Sequence, residues 1–516
     1  MDNIEINQKK ELQSKLWKMA NTLRGNMDAN EFKDYILGLI FYRYVCEHEE
    51  HEFNGINFDF NESSYQNDPD KYRDCALNKL CLGYFIEPKY LFKNLVNDIK
   101  NGTFELEKLT EAFENFSNST KSNSEEQLSK LFKDINLSSD KLGASYKEKG
   151  ELISKLITNL DEIDFNKFKD SEIDLLGDAY EYLIGQFAAS AGKKAGEFYT
   201  PQKVSKLLSL IVTKDITDVK HISDPTCGSG SLLIQVIKNI KGRYQKIYGQ
   251  ELNTTTCNLA RMNLLIHKVD FEKFVISQGD VLKNPSEDQK KEGNMDIVVA
   301  NPPFSAQWEP NSSMEQDLRF SDAGQLAPKS KADYAFVEHM IHSLSANGIM
   351  AIVLPHGPLF RGQSEGNIRK YLVEVKNYLD TVISLPEKLF YGTSIATTVC
   401  IFKKNKSDRS IYFIDASKNF EKNKNQNILR DQDIEKILDA YSNKKEIPQY
   451  AHLATFEELK ENDFNLSISR YVDVTKEEEP IDLQEVMQNY DYLKKENQEI
   501  TKQINQYLKE LKLPEF

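Results

Sequence analysis

Four short apolar runs, each closing on a polar residue, constrain this chain more than any other feature. Val219 to Ser223 runs into Asp224, Lys246 to Gln250 into Glu251, Phe274 to Ile276 toward Gly279-Asp280, and Ile297 to Ala300 into Asn301. Runs of this length, separated by stretches with helical spacing, are the pattern of buried parallel strands in an α/β sheet. Ligands of doubly wound sheets sit at the carboxyl ends of the strands, so these four polar residues are expected along one edge. Asp280 by itself fits a turn or helix N-cap. The ordered succession of four points to a binding edge.

Two of the strand ends carry extended motifs. Asp224-Pro225-Thr226-Cys227-Gly228-Ser229-Gly230-Ser231 precedes the amphipathic run Leu232-Leu233-Ile234-Val236-Ile237, which reads as strand, glycine turn, helix. Gly228 and Gly230 allow positive φ and a close backbone approach to a ligand. Leu233 stands where a dinucleotide fingerprint needs its third glycine, which disfavours a pyrophosphate dinucleotide. Glu251 is placed where a carboxylate accepts from both hydroxyls of a ribose. At the fourth end, Asn301-Pro302-Pro303-Phe304 joins a strand to a stiff turn, because the prolines fix φ and hold the preceding residue extended. The Asn301 amide oxygen and the Pro302 carbonyl offer two acceptors to one planar amine, and Phe304 can cover the ring that carries it. The plain alternative for these four residues is a strand-to-loop turn with a packed aromatic.

The chain resembles S-adenosylmethionine-dependent amino-methyltransferases, specifically the modification subunit of type I restriction-modification enzymes. The stretches that carry the likeness are Gly196-Glu197-Phe198-Tyr199-Thr200-Pro201, Asp224 to Gly230, Asn301 to Phe304, Ala332-Asp333-Tyr334-Ala335-Phe336, Leu354-Pro355-His356-Gly357 with Leu359-Phe360-Arg361, and Leu389-Phe390-Tyr391-Gly392-Thr393. Leu16-Trp17, Leu23-Arg24-Gly25 and Tyr35-Ile36-Leu37 to Tyr42-Arg43 are similar to that family's helical domain. The resemblance implies that Glu197, Phe198, Tyr199, Thr200 and Pro201, with Asp224, Pro225, Thr226, Gly228, Ser229, Gly230 and Ser231, hold the methionine part of S-adenosylmethionine. It also implies Glu251 at the ribose, Asp280 at the adenine amine of the cofactor, and Asn301, Pro302, Pro303 and Phe304 at a flipped target adenine. Many adenine methylases carry Tyr where this chain has Phe304, a change that keeps stacking and removes a phenolic hydrogen bond.

Independent chemistry agrees. Adenine N6 is a poor nucleophile because its lone pair is delocalised, and two acceptors on its hydrogens localise that pair in the transition state. Cytosine C5 methylation needs a cysteine nucleophile, commonly in a Pro-Cys dipeptide, and the chain has none. Cys227 reads as a small packed residue. Cys46, Cys75, Cys81, Cys257 and Cys400 show no C-x-x-C spacing, which argues for reduced thiols and against zinc. The pairs His48 with His51 and His339 with His342 lack the context of metal ligands, so no metal is expected. No Walker A sequence occurs, so DNA translocation and cleavage, if coupled to this protein, belong to another subunit. With a net charge of -14 the chain is not a general phosphate binder, so DNA contact must be local or supplied by a partner. Lys193, Lys194, Lys329 and Lys331 are candidates for local contact, or solvated lysines. No N-terminal signal is visible, and the apolar stretch Tyr35 to Tyr42 is too short to span a bilayer, so no membrane association and a cytoplasmic location are expected.

The expected fold class is α/β. It comprises a mostly parallel doubly wound methyltransferase sheet with an antiparallel edge strand, an α-helical N-terminal domain and a C-terminal coiled-coil-like helix. Residues 1–165 are read as the helical domain, 166–415 as the catalytic domain, 416–474 as a mixed connecting region and 475–516 as a heptad helix. Further strands are read at Met350 to Leu354, Thr381 to Ile383 and Thr397 to Phe402, the last two as the antiparallel edge. In the tail, Leu483, Tyr490, Asn497, Ile504 and Leu511 recur every seven residues, with Val486, Leu493, Ile500 and Tyr507 in the second seam position. A polar seam residue such as Asn497 selects register and partner; the alternative is an amphipathic helix docked on its own chain. By resemblance the partners are double-stranded DNA, a specificity subunit, a restriction subunit that translocates and cuts DNA at the expense of ATP, and a second copy of this chain. Other functions that the residues allow are methylation of an RNA base or a glutamine amide, and a scaffold that binds cofactor or DNA without turnover.

Overall fold

The computed structural model describes residues 3–21, 29–120, 124–164, 174–190, 199–423, 426–473 and 483–515. Glu197, Phe198, Lys193 and Lys194 lie outside them. Residues Met1–Val472 form one compact unit and Asp473–Phe516 a second.

The first unit is organised by a nine-stranded sheet. Its strands are β1 (Val219–Asp224), β2 (Tyr244–Glu251), β3 (Phe274–Gln278), β4 (Met295–Ala300), β5 (Leu344–Pro355), β6 (Leu379–Ser384), β7 (Thr397–Lys403), β8 (Ile411–Asp415) and β9 (Ala451–Ala454). They lie in the order β3-β2-β1-β4-β5-β7-β6-β8-β9. The first five strands pair in parallel, β7 runs antiparallel between β5 and β6, β8 is parallel to β6, and β9 is antiparallel to β8. Consecutive residues of β4 from Ile297 to Ala300 are all buried, so both sheet faces are covered, as a parallel sheet requires. The chain reverses strand order between β1 and β4, where Ile222 pairs with Ile297 and Ser223 with Val298. That switch point is where such sheets bind ligands.

The antiparallel character expected at β6 and β7 is present, but the two strands are not the edge. The sheet continues through β8 to β9, which is the antiparallel edge strand. The stretch 416–474 therefore supplies β9 to the sheet, together with the helix Asp431–Asn443.

Residues before 165 form helices without strands among the described residues. In the helix Ala29–Gly55, Phe32, Tyr35, Ile36, Leu39 and Ile40, which recur at helical spacing, are buried. Trp17 and Phe32 both meet the Phe187 ring edge-on, at 5.7 and 5.5 Å between centroids, which joins the first two helices to Leu175–Ser190. The helical region also covers the other sheet edge. Gln127 Oε1 accepts from the Ile276 backbone N of β3 at 2.9 Å, and Asn258 Nδ2 donates to the Lys130 carbonyl at 3.0 Å. The Ile276 N–H on an otherwise open strand edge thus finds a side-chain acceptor in Gln127.

In the second unit, the helix Leu483–Glu510 has no buried side chain. Its seam residues Leu483, Tyr490, Leu493, Ile504 and Tyr507 are all exposed. Among the described residues no helix is long and apolar enough to cross a membrane.

Candidate active site

The glycine turn leaves β1 through Asp224 and enters the helix Ser231–Asn239 with Gly228 at φ +53° and Gly230 at φ +76°. A side chain at either position would strain the left-handed backbone. The turn is fastened from three directions. Cys227 N donates to the Gln250 carbonyl at 3.0 Å, Asn263 Nδ2 donates to the Ser229 carbonyl at 2.9 Å, and Gly228 N donates to Glu251 Oε2 at 3.1 Å. The Asn263 contact had no sequence signal, since a buried Asn on a distant helix reads only as a packing anomaly.

Both carboxyls beside the turn are perturbed. Burial pushes Asp224 up to about 7, against the Thr226 backbone N–H that donates to it at 2.9 Å, and the nearby Glu251 charge adds to the rise. Burial also raises Glu251, while N–H groups of Asn253 and Gly228 oppose the shift. Glu251 Oε1 accepts from Asn253 N at 2.8 Å. The carboxylate at the end of β2 therefore ties the turn to the start of the helix Thr254–Ile266. Asp280 follows β3, and its Oδ1 accepts from Leu282 N and Lys283 N at 3.0 and 3.3 Å, a side-chain-stabilised turn.

Asn301 leaves β4 beside the glycine turn. Its Nδ2 donates to Thr200 Oγ1 at 3.0 Å, while its Oδ1 is buried and has no partner. One small pocket is lined by Tyr199, Thr200, Asp224, Thr226 to Ser229, Ser231, Leu232 and Asn301. The sequence-predicted residues of the Tyr-Thr, glycine-turn and Asn motifs thus meet at one place, and the next residue, Pro302, is buried. Phe304 is half-buried, its ring edge-on to Phe390 at 5.4 Å and 82°.

The turn after Asn301 is braced by a residue to which sequence reading gave no role. Asp333, at the start of the helix Asp333–Ser343, accepts from Ser305 N at 3.0 Å. Burial raises its carboxyl, opposed by the Ser305 N–H and the Arg361 guanidinium. Ser305 sits at φ +50°, so this contact holds a backbone conformation that the turn would otherwise leave. Farther along the same loop Trp308 N and Nε1 donate to the Lys329 and Pro328 carbonyls, both at 2.9 Å. Lys329 is exposed and Lys331 half-buried. Among the described residues no group of three or more His, Cys, Asp or Glu side chains is arranged to hold a metal ion.

Comparison with known proteins gives this arrangement a family. Residues 171–480 match the family described as N-6 DNA Methylase, and residues 12–160 match the HsdM N-terminal domain. A type I restriction enzyme methylase subunit of Mycoplasma pneumoniae is 37% identical over 99% of this chain and 98% of its own length. The chain belongs to the type I restriction enzyme methylase subunits. A type I restriction-modification methyltransferase subunit from Streptococcus thermophilus, of known structure, is 43% identical with a TM-score of 0.82, covering 90% of this chain and all of that one. A second solved chain, from a type I restriction-modification system, has a TM-score of 0.63 at 18% identity over 97% of this chain and 99% of its own, a likeness of fold. This methylase subunit therefore has a known architecture, and its candidate residues acquire a chemical context.

Proposed function

We propose that this methylase subunit transfers a methyl group from S-adenosylmethionine to N6 of an adenine flipped out of duplex DNA. The observation that carries the reading is the buried, unpartnered Oδ1 of Asn301 in the pocket that the glycine turn also lines. A buried acceptor without a donor costs about 1–3 kcal/mol, a deficit that an incoming amine relieves.

The residues fit the cofactor. The two left-handed glycines open the turn to a close approach, and Tyr199, Thr200, Asp224, Thr226 to Ser229 and Ser231 line the space for its methionine part. Glu251 presents its carboxylate at the end of β2 for the ribose, and Asp280 at the end of β3 for the adenine amine. Bound S-adenosylmethionine supplies an electrophilic methyl on its sulfonium. Asn301 Oδ1 and the Pro302 carbonyl accept the two N6 hydrogens, which favours a pyramidal amine with a localised lone pair. Thr200 keeps the Asn301 nitrogen engaged, so that the oxygen and not the NH2 group faces the base. Phe304 stacks on the extruded adenine, oriented by Phe390. The chemistry is positioning and electrostatics, with no titrating base required.

Target sequence is chosen by a separate specificity subunit, which the exposed seam of Leu483–Glu510 engages. A second copy of this chain and an ATP-driven restriction subunit complete the assembly. Exposed Lys329 supplies local phosphate contact on a chain whose net charge is otherwise unsuited to DNA.

The test is transfer of labelled methyl to duplex DNA by the chain assembled with its specificity subunit. Product digestion should place the label on adenine N6. Asn301→Ala should abolish transfer and leave cofactor binding by calorimetry intact. Label on RNA or on a glutamine amide would replace the substrate, and full turnover by Asn301→Ala would discard the site.

A further inference from the structure

Arg319 lies in the loop that follows Asn301 and is only 7% exposed. Its Nη1 donates to the Val281 carbonyl and its Nη2 to the Leu282 carbonyl, each at 2.9 Å. Nε and Nη2 also donate to the Asp317 carboxylate at 3.1 and 2.8 Å. Nη1 lies 3.3 Å from Nδ1 of His339, a fully buried ring that desolvation and the guanidinium hold neutral. Every part of the fork is engaged.

The two carbonyls it reaches are not arbitrary. The Val281 carbonyl shares a rigid peptide plane with Leu282 N–H, and the Leu282 carbonyl shares one with Lys283 N–H. Those are the N–H groups that donate to Asp280 Oδ1, at 3.0 and 3.3 Å. Two successive peptide planes are therefore gripped at their oxygens by Arg319 and at their hydrogens by Asp280. A planar guanidinium can span two adjacent carbonyls and a carboxylate at once, which the point charge of a lysine cannot. Burying such a cation is costly, and a turn that needed only packing would be served as well by an apolar side chain.

We propose that Arg319 is a positioning residue for the cofactor's adenine ring: by orienting the two peptide planes beneath Asp280, it aims that carboxylate at the 6-amino group. The proposal rests on the reading of Asp280 given above. It also means that the loop bearing the target-base residues holds part of the cofactor site.

The experiment is calorimetric binding to the full chain of S-adenosylmethionine and of its analogue with purine in place of adenine, which lacks the 6-amino group. Arg319→Met should weaken S-adenosylmethionine by about tenfold, the value of one well-placed hydrogen bond to a charged group. Binding of the purine analogue should change far less, and Arg319→Lys should fall between. Asp280→Ala should show the same selectivity for the amino group. If Asp280→Ala fails to distinguish the two ligands, the reading of Asp280 falls and the proposal with it. If Asp280→Ala distinguishes them and both Arg319 variants weaken the two ligands equally, or neither, Arg319 is only a structural brace. Should Arg319→Met not fold, the double variant Asp280→Ala with Arg319→Lys decides: additive losses overturn the coupling.

Discussion

Asn301 Nδ2 donates to Thr200 Oγ1 at 3.0 Å across 101 residues of sequence, and the same amide leaves its oxygen buried and free. Under the proposed function, that single hydroxyl fixes which end of the amide meets the substrate. Thr200→Val keeps the shape and removes the acceptor, so the amide loses its preferred orientation. Single-turnover methylation should fall by about tenfold, or roughly 1.4 kcal/mol, while Thr200→Ser retains most of the rate. Equal rates in Thr200→Val and wild type would mean that the amide is oriented by something else.

Glu251 holds Gly228 N and Asn253 N as well as facing the proposed ribose site. Glu251→Ala should therefore weaken cofactor binding and also loosen the glycine turn, seen as a lower melting temperature without ligand. Glu251→Gln keeps one acceptor oxygen and should lose affinity by less. Unchanged affinity in both variants, measured by calorimetry without DNA, would move the ribose elsewhere.

How much of this was legible beforehand follows from burial. Strands β1 to β7 were read from short apolar runs of the kind that coverage on both faces produces, while β8, Ile411–Asp415, is buried in the same way and was not read as a strand. β9 is Ala451-His452-Leu453-Ala454, a short edge strand with half its side chains outside the core, and it carries no comparable signal. The polar residues closing β1 to β4 were readable as an edge because topology alone places strand ends together. The contacts among them were not. Thr200 meeting Asn301, Asp333 meeting Ser305 and Arg319 gripping Val281 and Leu282 are side-chain bonds that exist only after distant elements have docked. The sequence reading gave Arg319 no place and Asp333 none beyond a stretch of family likeness, whereas both are buried.

Phe304 and Phe390 meet edge to face at 82°, which under the proposed function sets the plane that a flipped base would meet. Phe304→Ala should weaken capture of the base by about 1–3 kcal/mol, and Phe304→Tyr or Phe304→Trp should be milder. Fluorescence titration with DNA carrying 2-aminopurine at the target measures it. Identical behaviour of the three variants would exclude stacking.

Asp224 predicts a pH dependence of stability. Burial disfavours the charge and pushes its carboxyl up to about 7 in the folded chain from an ordinary 3.8. The folded state thus binds more protons between those values. The stabilisation is fully present below pH about 4 and is lost as pH rises through about 7, amounting to about 4 kcal/mol at most. Asp224→Asn removes the titration and keeps an oxygen for the Thr226 N–H. Its melting temperature, relative to wild type without cofactor, should therefore climb between pH 4 and 8. A difference that stays constant across that range would show that Asp224 does not titrate there.

The helix Leu483–Glu510 buries none of its side chains, yet Leu483, Tyr490, Leu493, Ile504 and Tyr507 keep a seven-residue seam. An exposed seam of that length is costly in water unless another helix covers it. Deleting residues 480–516 should leave a folded protein that still binds S-adenosylmethionine but no longer co-purifies with its specificity subunit and no longer methylates a defined site. Asn497→Leu is the sharper variant, since an apolar seam residue should strengthen helix pairing while relaxing register and partner choice. Sedimentation should then detect stronger self-association than in wild type. If the truncated chain assembles and methylates normally, the seam is not the partner interface, and that interface must be sought on the residues before 473.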